Sequence, residues 1–168
     1  ISNLTVMKDL NNLNILSKDI GPGNCLIDSW IQSLTNKRFD SDGKISSKGK
    51  INEVILEQAL EVHENNFKSQ DNISLDTSNF DVSFMRGLSL EDGAATLTSF
   101  TAKIISSNIK DFVKDFYNEK ISILLCGGGR KNKYLIDQIK LNLNENFILI
   151  NSEDLNLNGD FIESQAFA

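Results

Sequence analysis

The alternation of apolar and polar residues predicts a β-hairpin at the start of the chain. Two short apolar runs, Ile1–Met7 and Leu13–Ser17, flank the polar sequence D-L-N-N. Short runs of this kind, bounded by turn-forming residues, are typical of paired antiparallel strands. Beyond the hairpin, apolar residues return every three or four positions between Cys25 and Leu34, and this spacing predicts a helix.

Two more helices are predicted in the middle of the chain. Apolar positions at helical spacing mark the first between Ile51 and Val62, and a longer one follows Ser89 as far as Phe116. The sequence S-L-E-D that starts at Ser89 resembles a capping box, with Asp92 as its third helical residue. Polar, glycine-punctuated or breaker-rich sequences at 37–50 and 65–79 are predicted to be connections.

The last third of the chain predicts a strand, a helix, a second strand and the start of another helix. Ile121–Cys126 and Phe147–Ile150 are uniformly apolar, which favours buried strands, and a helix is expected between them over Asn132–Leu141. Two such strands around one helix indicate a parallel crossover. A final helix is expected from Asp160 onward. The predicted class is α/β, with a mixed sheet flanked by helices.

Composition narrows the choice of partners and compartment. The formal charge is −6 and the isoelectric point is near 4.8, which disfavours nucleic acid or an anionic membrane as the main partner. No apolar run approaches the roughly 20 residues that span a bilayer. Cys25 and Cys126 lie in apolar contexts, which suits a reducing compartment, and with one histidine they form no metal-binding spacing. A cytoplasmic protein without a metal site of its own is expected.

The first candidate site is the sequence C-G-G-G-R-K-N, from Cys126 to Asn132. Glycines at the carboxyl end of a parallel strand let backbone amides approach a ligand, and the following helix N-terminus favours negative charge. Ligands in open α/β sheets bind at such strand ends. Gly127, Gly128 and Gly129 are therefore candidates for nucleotide contact. The alternative is a tight strand-to-helix turn in which Asn132 is only a helix cap.

The second candidate site is the turn that contains Pro22, the only proline in the chain. Gly21 and Gly23 on either side can adopt positive φ, while Pro22 fixes its own φ and favours extended geometry before it. Asp19 stands at the end of the second hairpin strand. A carboxylate beside a rigid turn suits a general base for a water or a sugar hydroxyl. In the alternative interpretation, Asp19 only satisfies loop amides.

Two polar residues follow this turn at helical spacing. Asn24 is placed to cap the next helix, and Asp28, four residues later, lies on the same helical face. Near the end of the chain, Glu163 faces either a cleft or solvent, and the pattern does not decide which. His63 is expected to be an exposed polar residue, and Trp30 a core residue.

Five blocks of the sequence, in this order, resemble the C-terminal half of the anhydro-N-acetylmuramic acid kinases. They extend over nearly the whole chain, and the blocks that begin at Asp19 and Leu88 are long and specific. The blocks are I-S-N-L-T-V (1–6), D-I-G-P-G-N-C-L-I-D-S-W (19–30), L-S-L-E-D-G-A-A-T-L-T-S-F-T-A (88–102), C-G-G-G-R-K-N (126–132) and E-S-Q-A-F-A (163–168).

The resemblance implies a sugar-kinase/actin-like fold with two α/β lobes that close on ATP. It also implies a reaction in which water opens the 1,6-anhydro ring of anhydro-N-acetylmuramic acid while the γ-phosphoryl of ATP passes to O6. The products are N-acetylmuramic acid 6-phosphate and ADP, a step of cell-wall recycling. ATP and Mg²⁺ are the implied cofactors, and the amino sugar is the implied partner.

The resemblance also implies roles for individual residues. Asp19 matches the base that activates water, and Gly127, Gly128, Gly129 and Asn132 match the nucleotide-side loop. The implied sugar side comprises Gly21, Gly23, Asn24, Asp28 and Glu163.

We interpret residues 1–168 as the C-terminal lobe of a two-lobed kinase, truncated at both ends and inactive by itself. The family's phosphate-binding loop and most of its first lobe are missing from this sequence. The resemblance also suggests a homodimer. Two other functions remain open at this point: a kinase of the same fold that acts on another sugar, and a non-catalytic nucleotide-binding module.

Overall fold

The computed structural model describes residues 1–7, 15–67, 74–114 and 120–162. Within these ranges lie four strands, four α-helices and several short 3₁₀ turns. The strands are β1 (Ser2–Met7), β2 (Ile15–Gly21), β3 (Ile121–Leu125) and β4 (Phe147–Asn151). The helices are α1 (Cys25–Leu34), α2 (Glu53–Phe67), α3 (Leu90–Phe112) and α4 (Lys133–Asn142).

The predicted hairpin is confirmed: β1 and β2 pair antiparallel. Thr5 lies opposite Ser17, and their hydroxyl oxygens are 3.0 Å apart. Strand β2 continues beyond the predicted end at Ser17 and stops at Gly21. The register shifts near Ser2, opposite this last part of β2. The extension matters for the site, because it carries Asp19 within the strand.

The predicted parallel pair is also confirmed, with Ile121 of β3 opposite Phe147 of β4. Together with the helices this establishes the α/β class, although the described strands form two separate two-stranded sheets. The prediction that β3 and β4 are buried is wrong. Leu124 and Ile148 are 42% and 43% exposed, because the described residues cover only one face of this sheet.

Helix α3 is the central element of the fold and packs against the other three helices and the hairpin. Ser89 caps it as predicted, since its Oγ accepts a hydrogen bond from the Asp92 amide at 3.1 Å. The Asp92 carboxylate accepts a bond from the Lys50 amide at 2.7 Å and so ties the preceding loop to the helix start. Within the described ranges, no helix combines the length and apolarity needed to cross a membrane.

The larger hydrophobic core lies between α1, α2 and α3. Trp30 is buried there as predicted, and its indole Nε1 donates to the Leu90 carbonyl at 2.9 Å. Gly93 packs directly on the Trp30 ring, where an added Cβ would overlap the indole. The buried members are Leu26, Ile27, Trp30, Ile31, Leu56, Met85, Ala94, Leu97, Phe100 and Ile104.

A smaller core joins the opposite side of α3 to α4 and the parallel sheet. Ala102, Leu135 and Ile139 are buried there, with Leu149 of β4 packed against them. Because α3 contributes to both cores, it fixes the position of the hairpin side relative to the β3–α4–β4 side.

Candidate functional site

Asp19 lies near the end of β2 and is partly exposed. Its Oδ2 accepts a hydrogen bond from the Leu75 amide at 2.8 Å. The interpretation of Asp19 as a carboxylate that satisfies a loop amide is therefore realised. The same bond fixes the direction of the carboxylate, which is what a positioned base also requires.

The two glycines around Pro22 are required for different structural reasons. Gly23 adopts φ of +58°, in the left-handed region that favours glycine. Gly21 does not use that region. It is required by packing, because an added Cβ would lie 2.8 Å from Cγ2 of Ile104 on α3. Pro22 is buried, and its carbonyl accepts a bond from the Cys25 amide at 3.1 Å.

Asn24 occupies the N-cap position of α1, but the prediction that its side chain caps the helix is wrong. Its backbone is already helical, with φ of −82° and ψ of −7°, whereas a side chain that caps needs extended geometry there. The Oδ1 atom of Asn24 is buried and has no hydrogen-bond partner among the described residues. Its Nδ2 lies on the side of Gly129, 4.0 Å from the position of an added Cβ.

Asp28 lies one turn after Asn24 on α1, and its amide donates to the Asn24 carbonyl at 2.8 Å. Its side chain is half-buried. Burial, and secondarily the charge of Asp40, raises the pKa of Asp28 to about 6. The residue lines a cavity of about 460 Å³, within the range of small-ligand pockets. The other residues that line it are Cys25, Leu26, Ser29, Gln32, Thr77, Ser78 and Phe80.

The glycine sequence connects β3 to α4 through a short 3₁₀ turn. Gly127 has φ of +72°, and its amide donates to the Gly159 carbonyl at 2.9 Å. Asn132 is buried and caps α4, since its Oδ1 accepts a bond from the Leu135 amide at 3.1 Å. The interpretation of Asn132 as a helix cap is thus confirmed.

Of the two glycines in this loop without a positive φ, Gly128 is the more open, and the described residues give no reason for a glycine there. Its φ is not positive, and apart from its own chain neighbours no atom of the described residues lies within 4 Å of an added Cβ. Gly127 is equally open but needs its positive φ. A glycine without a conformational or packing reason is what close approach of a ligand to the backbone would explain.

The structure brings the two candidate loops together. Gly129 is adjacent to the side chain of Asn24, although the loops are far apart in the sequence. The turn after Asp19 and the glycine loop therefore border the same region. Glu163 lies outside the described residues, so its place at the site stays a prediction.

Sequence reasoning missed Arg130, whose side chain is only 5% exposed. Its guanidinium forms ion pairs with Glu153 and with Asp160, and its Nη1 donates to the Gly127 carbonyl at 2.6 Å. These bonds raise the pKa of Arg130 and lower the pKa of each of the two carboxyl groups to about 2. The only signal in the sequence was the concentration of basic residues after the glycines.

Asp40, in the loop where no chemistry was recognised, was missed as well. It is buried, and its carboxylate accepts bonds from the Ile45 amide at 2.8 Å, the Ser46 amide at 2.9 Å and the Ser46 hydroxyl at 2.6 Å. The loop it shapes presses Gly43 against Asn132 and Tyr134, at the start of α4. Asp40 therefore supports the glycine loop indirectly, because the loop that it shapes packs through Gly43 on Asn132 at the start of α4. No signal in the sequence named these partners.

His63 was expected to be exposed, and this is wrong. The ring is half-buried beside Phe80 and Phe100, with centroid distances of 6.4 and 5.7 Å. Burial lowers the pKa of His63.

The comparisons with known proteins agree with one another. The family model described as anhydro-N-acetylmuramic acid kinase matches residues 1–168. Relatives with that name are 45% identical in Pelagibacter ubique, 35% in Zymomonas mobilis and 33% in Paramagnetospirillum magneticum, in each case over all of this chain. The alignments cover 44%, 44% and 45% of these relatives, so the chain spans less than half of their length.

Proposed function

The chain belongs to the anhydro-N-acetylmuramic acid kinase family, and from this premise we propose the activity of the protein that contains it. The protein hydrolyses the 1,6-anhydro bond of anhydro-N-acetylmuramic acid and phosphorylates O6 at the expense of ATP. Water forms a new bond to the anomeric carbon, the bond from that carbon to O6 breaks, and O6 takes the γ-phosphoryl group. ADP and N-acetylmuramic acid 6-phosphate leave.

In this proposal Asp19 accepts the proton of the attacking water. The hydrogen bond from the Leu75 amide supports the assignment, because it orients the carboxylate at the end of β2. A positioned base of this kind contributes about 10²–10⁴-fold to a rate. The rest of the catalysis then comes from positioning and charge stabilisation, as is usual in phosphoryl transfer.

The single observation that carries the proposal is the open backbone at Gly128 beside the turn that follows Asp19. An open glycine without a reason in the described fold supports nucleotide contact, and the proximity of Gly129 to Asn24 supports a contact next to the proposed sugar side. We assign Gly127, Gly128 and Gly129 to the nucleotide. Asn132 contributes by capping the helix that follows them.

On the sugar side we propose Gly23, Asn24 and Asp28, together with Glu163. The cavity beside Asp28 has hydroxyl and amide groups on its wall, which suit a polar, neutral part of the sugar. The Oδ1 of Asn24, buried and without a hydrogen-bond partner among the residues that the structure describes, is proposed as an acceptor for a ligand hydroxyl or amide. Gly21 supports this side through its packing on Ile104.

The Mg²⁺ that accompanies ATP supplies charge neutralisation during phosphoryl transfer. In the described part of the chain, no cluster of three or more His, Cys, Asp or Glu side chains is arranged to hold a metal ion, so we derive no step through it. That these residues form the C-terminal lobe, that the protein is a homodimer and that it resides in the cytoplasm stay predictions.

The experiment is Asp19→Asn in the full-length protein, assayed with ATP and anhydro-N-acetylmuramic acid. Turnover should fall by about 10²-fold or more while ATP binding survives. Asp137→Asn, the same change at an exposed position on α4, serves as the matched control. Near-normal turnover of Asp19→Asn would remove the assignment of the base. Wild-type activity on ordinary hexoses but not on the anhydro sugar would overturn the proposed substrate.

A further inference from the structure

We propose that Arg130 is a positioning residue that holds the glycine loop in its nucleotide-binding shape. It acts through a clamp made of Arg130, Glu153, Gly159 and Asp160. The proposal rests on the function proposed above for the loop, and it concerns residues to which neither the motifs nor the family resemblance gave a role.

The clamp holds Gly127 by both of its backbone polar groups. The Gly127 carbonyl accepts the bond from Nη1 of Arg130 at 2.6 Å, and the Gly127 amide donates to the Gly159 carbonyl at 2.9 Å. With both groups bonded, the peptide planes on either side of Gly127 are fixed. This restraint maintains the φ of +72° at which the chain leaves β3.

The guanidinium is itself fixed from two sides. Its Nε donates to the two carboxylate oxygens of Glu153 at 2.9 and 3.1 Å, and Nη2 also bonds to Glu153. Its Nη1 bonds to Oδ1 of Asp160 at 2.7 Å. A planar guanidinium with several fixed partners has little freedom, which makes Arg130 a rigid support.

A basic residue directly after a glycine loop suggests a phosphate ligand, but the contacts indicate otherwise. Nε, Nη1 and Nη2 of Arg130 all donate to protein groups, and the side chain is 5% exposed. Two carboxylates neutralise its charge. Arg130 therefore acts through the loop backbone and does not offer its charge to ATP.

Gly159 completes the clamp because it leaves room for Arg130. An added Cβ would lie 2.5 Å from Nε and 2.7 Å from Cζ of Arg130, and it would also overlap the Ser152 hydroxyl. A methyl group at 159 should therefore displace the guanidinium without changing any charge. Gly159→Ala is therefore a second way to break the contacts that Arg130 makes in the clamp.

A loop that is held in its bound shape before the ligand arrives loses less conformational freedom on binding. In full-length protein we expect Arg130→Gln to weaken ATP binding about tenfold, or about 1.4 kcal/mol. The KM for ATP should rise by a similar factor, with little change in kcat or in the KM for the sugar. Arg130→Lys should recover only part of the loss, since an ammonium cannot bridge the same partners.

Lys131→Gln is the matched control. Lys131 is exposed and pairs with Asp160 at 2.6 Å but does not touch Gly127 in the described structure. It should bind ATP within about twofold of wild type. Gly159→Ala should reproduce the effect of Arg130→Gln. Hydrogen exchange at the Gly127 amide should be faster in both Arg130→Gln and Gly159→Ala, because their folded states lack the clamp.

Unchanged ATP affinity and unchanged exchange at Gly127 in Arg130→Gln would overturn the proposal. Full recovery by Arg130→Lys would overturn the geometric role in favour of simple charge. If wild-type protein bound no ATP, the proposed function would fail. Faster exchange at Gly127 in the variants would then still support the clamp, and unchanged exchange would refute it.

Discussion

Gly21 and Gly23 near Asp19 differ from Gly128 after β3 in how far the fold requires a glycine. Gly21 is surrounded, with Ile104 too close to admit a methyl group, and Gly23 faces the backbone of Ile1 at a positive φ. In contrast, apart from its chain neighbours Gly128 has no described atom within 4 Å of an added Cβ. The first pair is needed by the fold itself, whereas the described part of the fold gives no such reason for Gly128.

The two regions also differ in how they are held. The turn after Asp19 is packed against the apolar side chains of α3, with buried Ile20 and Pro22 at its centre. The glycine loop is held by hydrogen bonds and by one buried arginine between two acids. Apolar packing tolerates little change of side-chain volume, while hydrogen bonds and ion pairs depend on the geometry of their donors and acceptors. Substitutions should therefore affect stability in the first region and ligand binding in the second.

The largest effect is expected for Gly21→Ala. The methyl group would lie 2.8 Å from Cγ2 of Ile104, a buried side chain on α3. Overpacking of this kind typically costs about 1–3 kcal/mol of unfolding free energy. Denaturant unfolding measures the effect. Gly21→Ala together with Ile104→Ala should recover part of the loss, and a single mutant as stable as wild type would contradict the packing role.

The second-largest effect is expected for Gly128→Ala, which should change ligand binding and leave stability almost unchanged, the reverse of Gly21→Ala. The unfolding free energy should stay within about 0.5 kcal/mol of wild type, because the position is open and its φ suits alanine. ATP affinity should fall about tenfold, since the methyl group enters the proposed nucleotide space. Calorimetric titration with ATP measures it. Unchanged ATP affinity would mean that Gly128 does not contact the nucleotide.

The smallest effect is expected for Asp28→Asn and depends on pH. The folded state raises the pKa of Asp28 to about 6 from its ordinary value, so the wild type loses stability from this group as the pH rises from about 4 to about 6. The asparagine variant should escape that loss. It should be more stable than wild type by roughly 1 kcal/mol at pH 7, and equal to it below pH 4.

Unfolding curves at several pH values measure the difference between Asp28→Asn and wild type. A constant difference at all pH values would contradict the raised pKa.

Much of the fold was predictable because it depends on local patterns. The hairpin, α3 with its Ser89 cap, and the β3–α4–β4 unit all follow from periodicity and capping residues close in the sequence. The exposure of β3 and β4 was not predictable, since an apolar run does not reveal how many neighbours cover it. The side chain of Asn24 was misjudged because a capping residue also needs the right backbone angles.

The site was predicted in part. The motifs named Asp19 and the glycine loop as candidates, and their roles stay predictions, while the structure places the loop beside Asn24. The residues that hold it, Arg130 and Asp40, were missed because their function depends on partners that only folding brings near. For Arg130 the distant partners are Glu153 and Asp160. A single sequence contains no signal for such pairs.

The position of α3 has a mechanical consequence. Its 23 residues form one helix, which contacts the hairpin and α1 on one side and α4 on the other. The proposed base and the glycine loop are thus both held by α3, and they should move together as one rigid unit. If the protein closes around a ligand as proposed, the hinge has to lie outside this unit, and the spacing between Asp19 and Gly128 should be the same in the open and closed states.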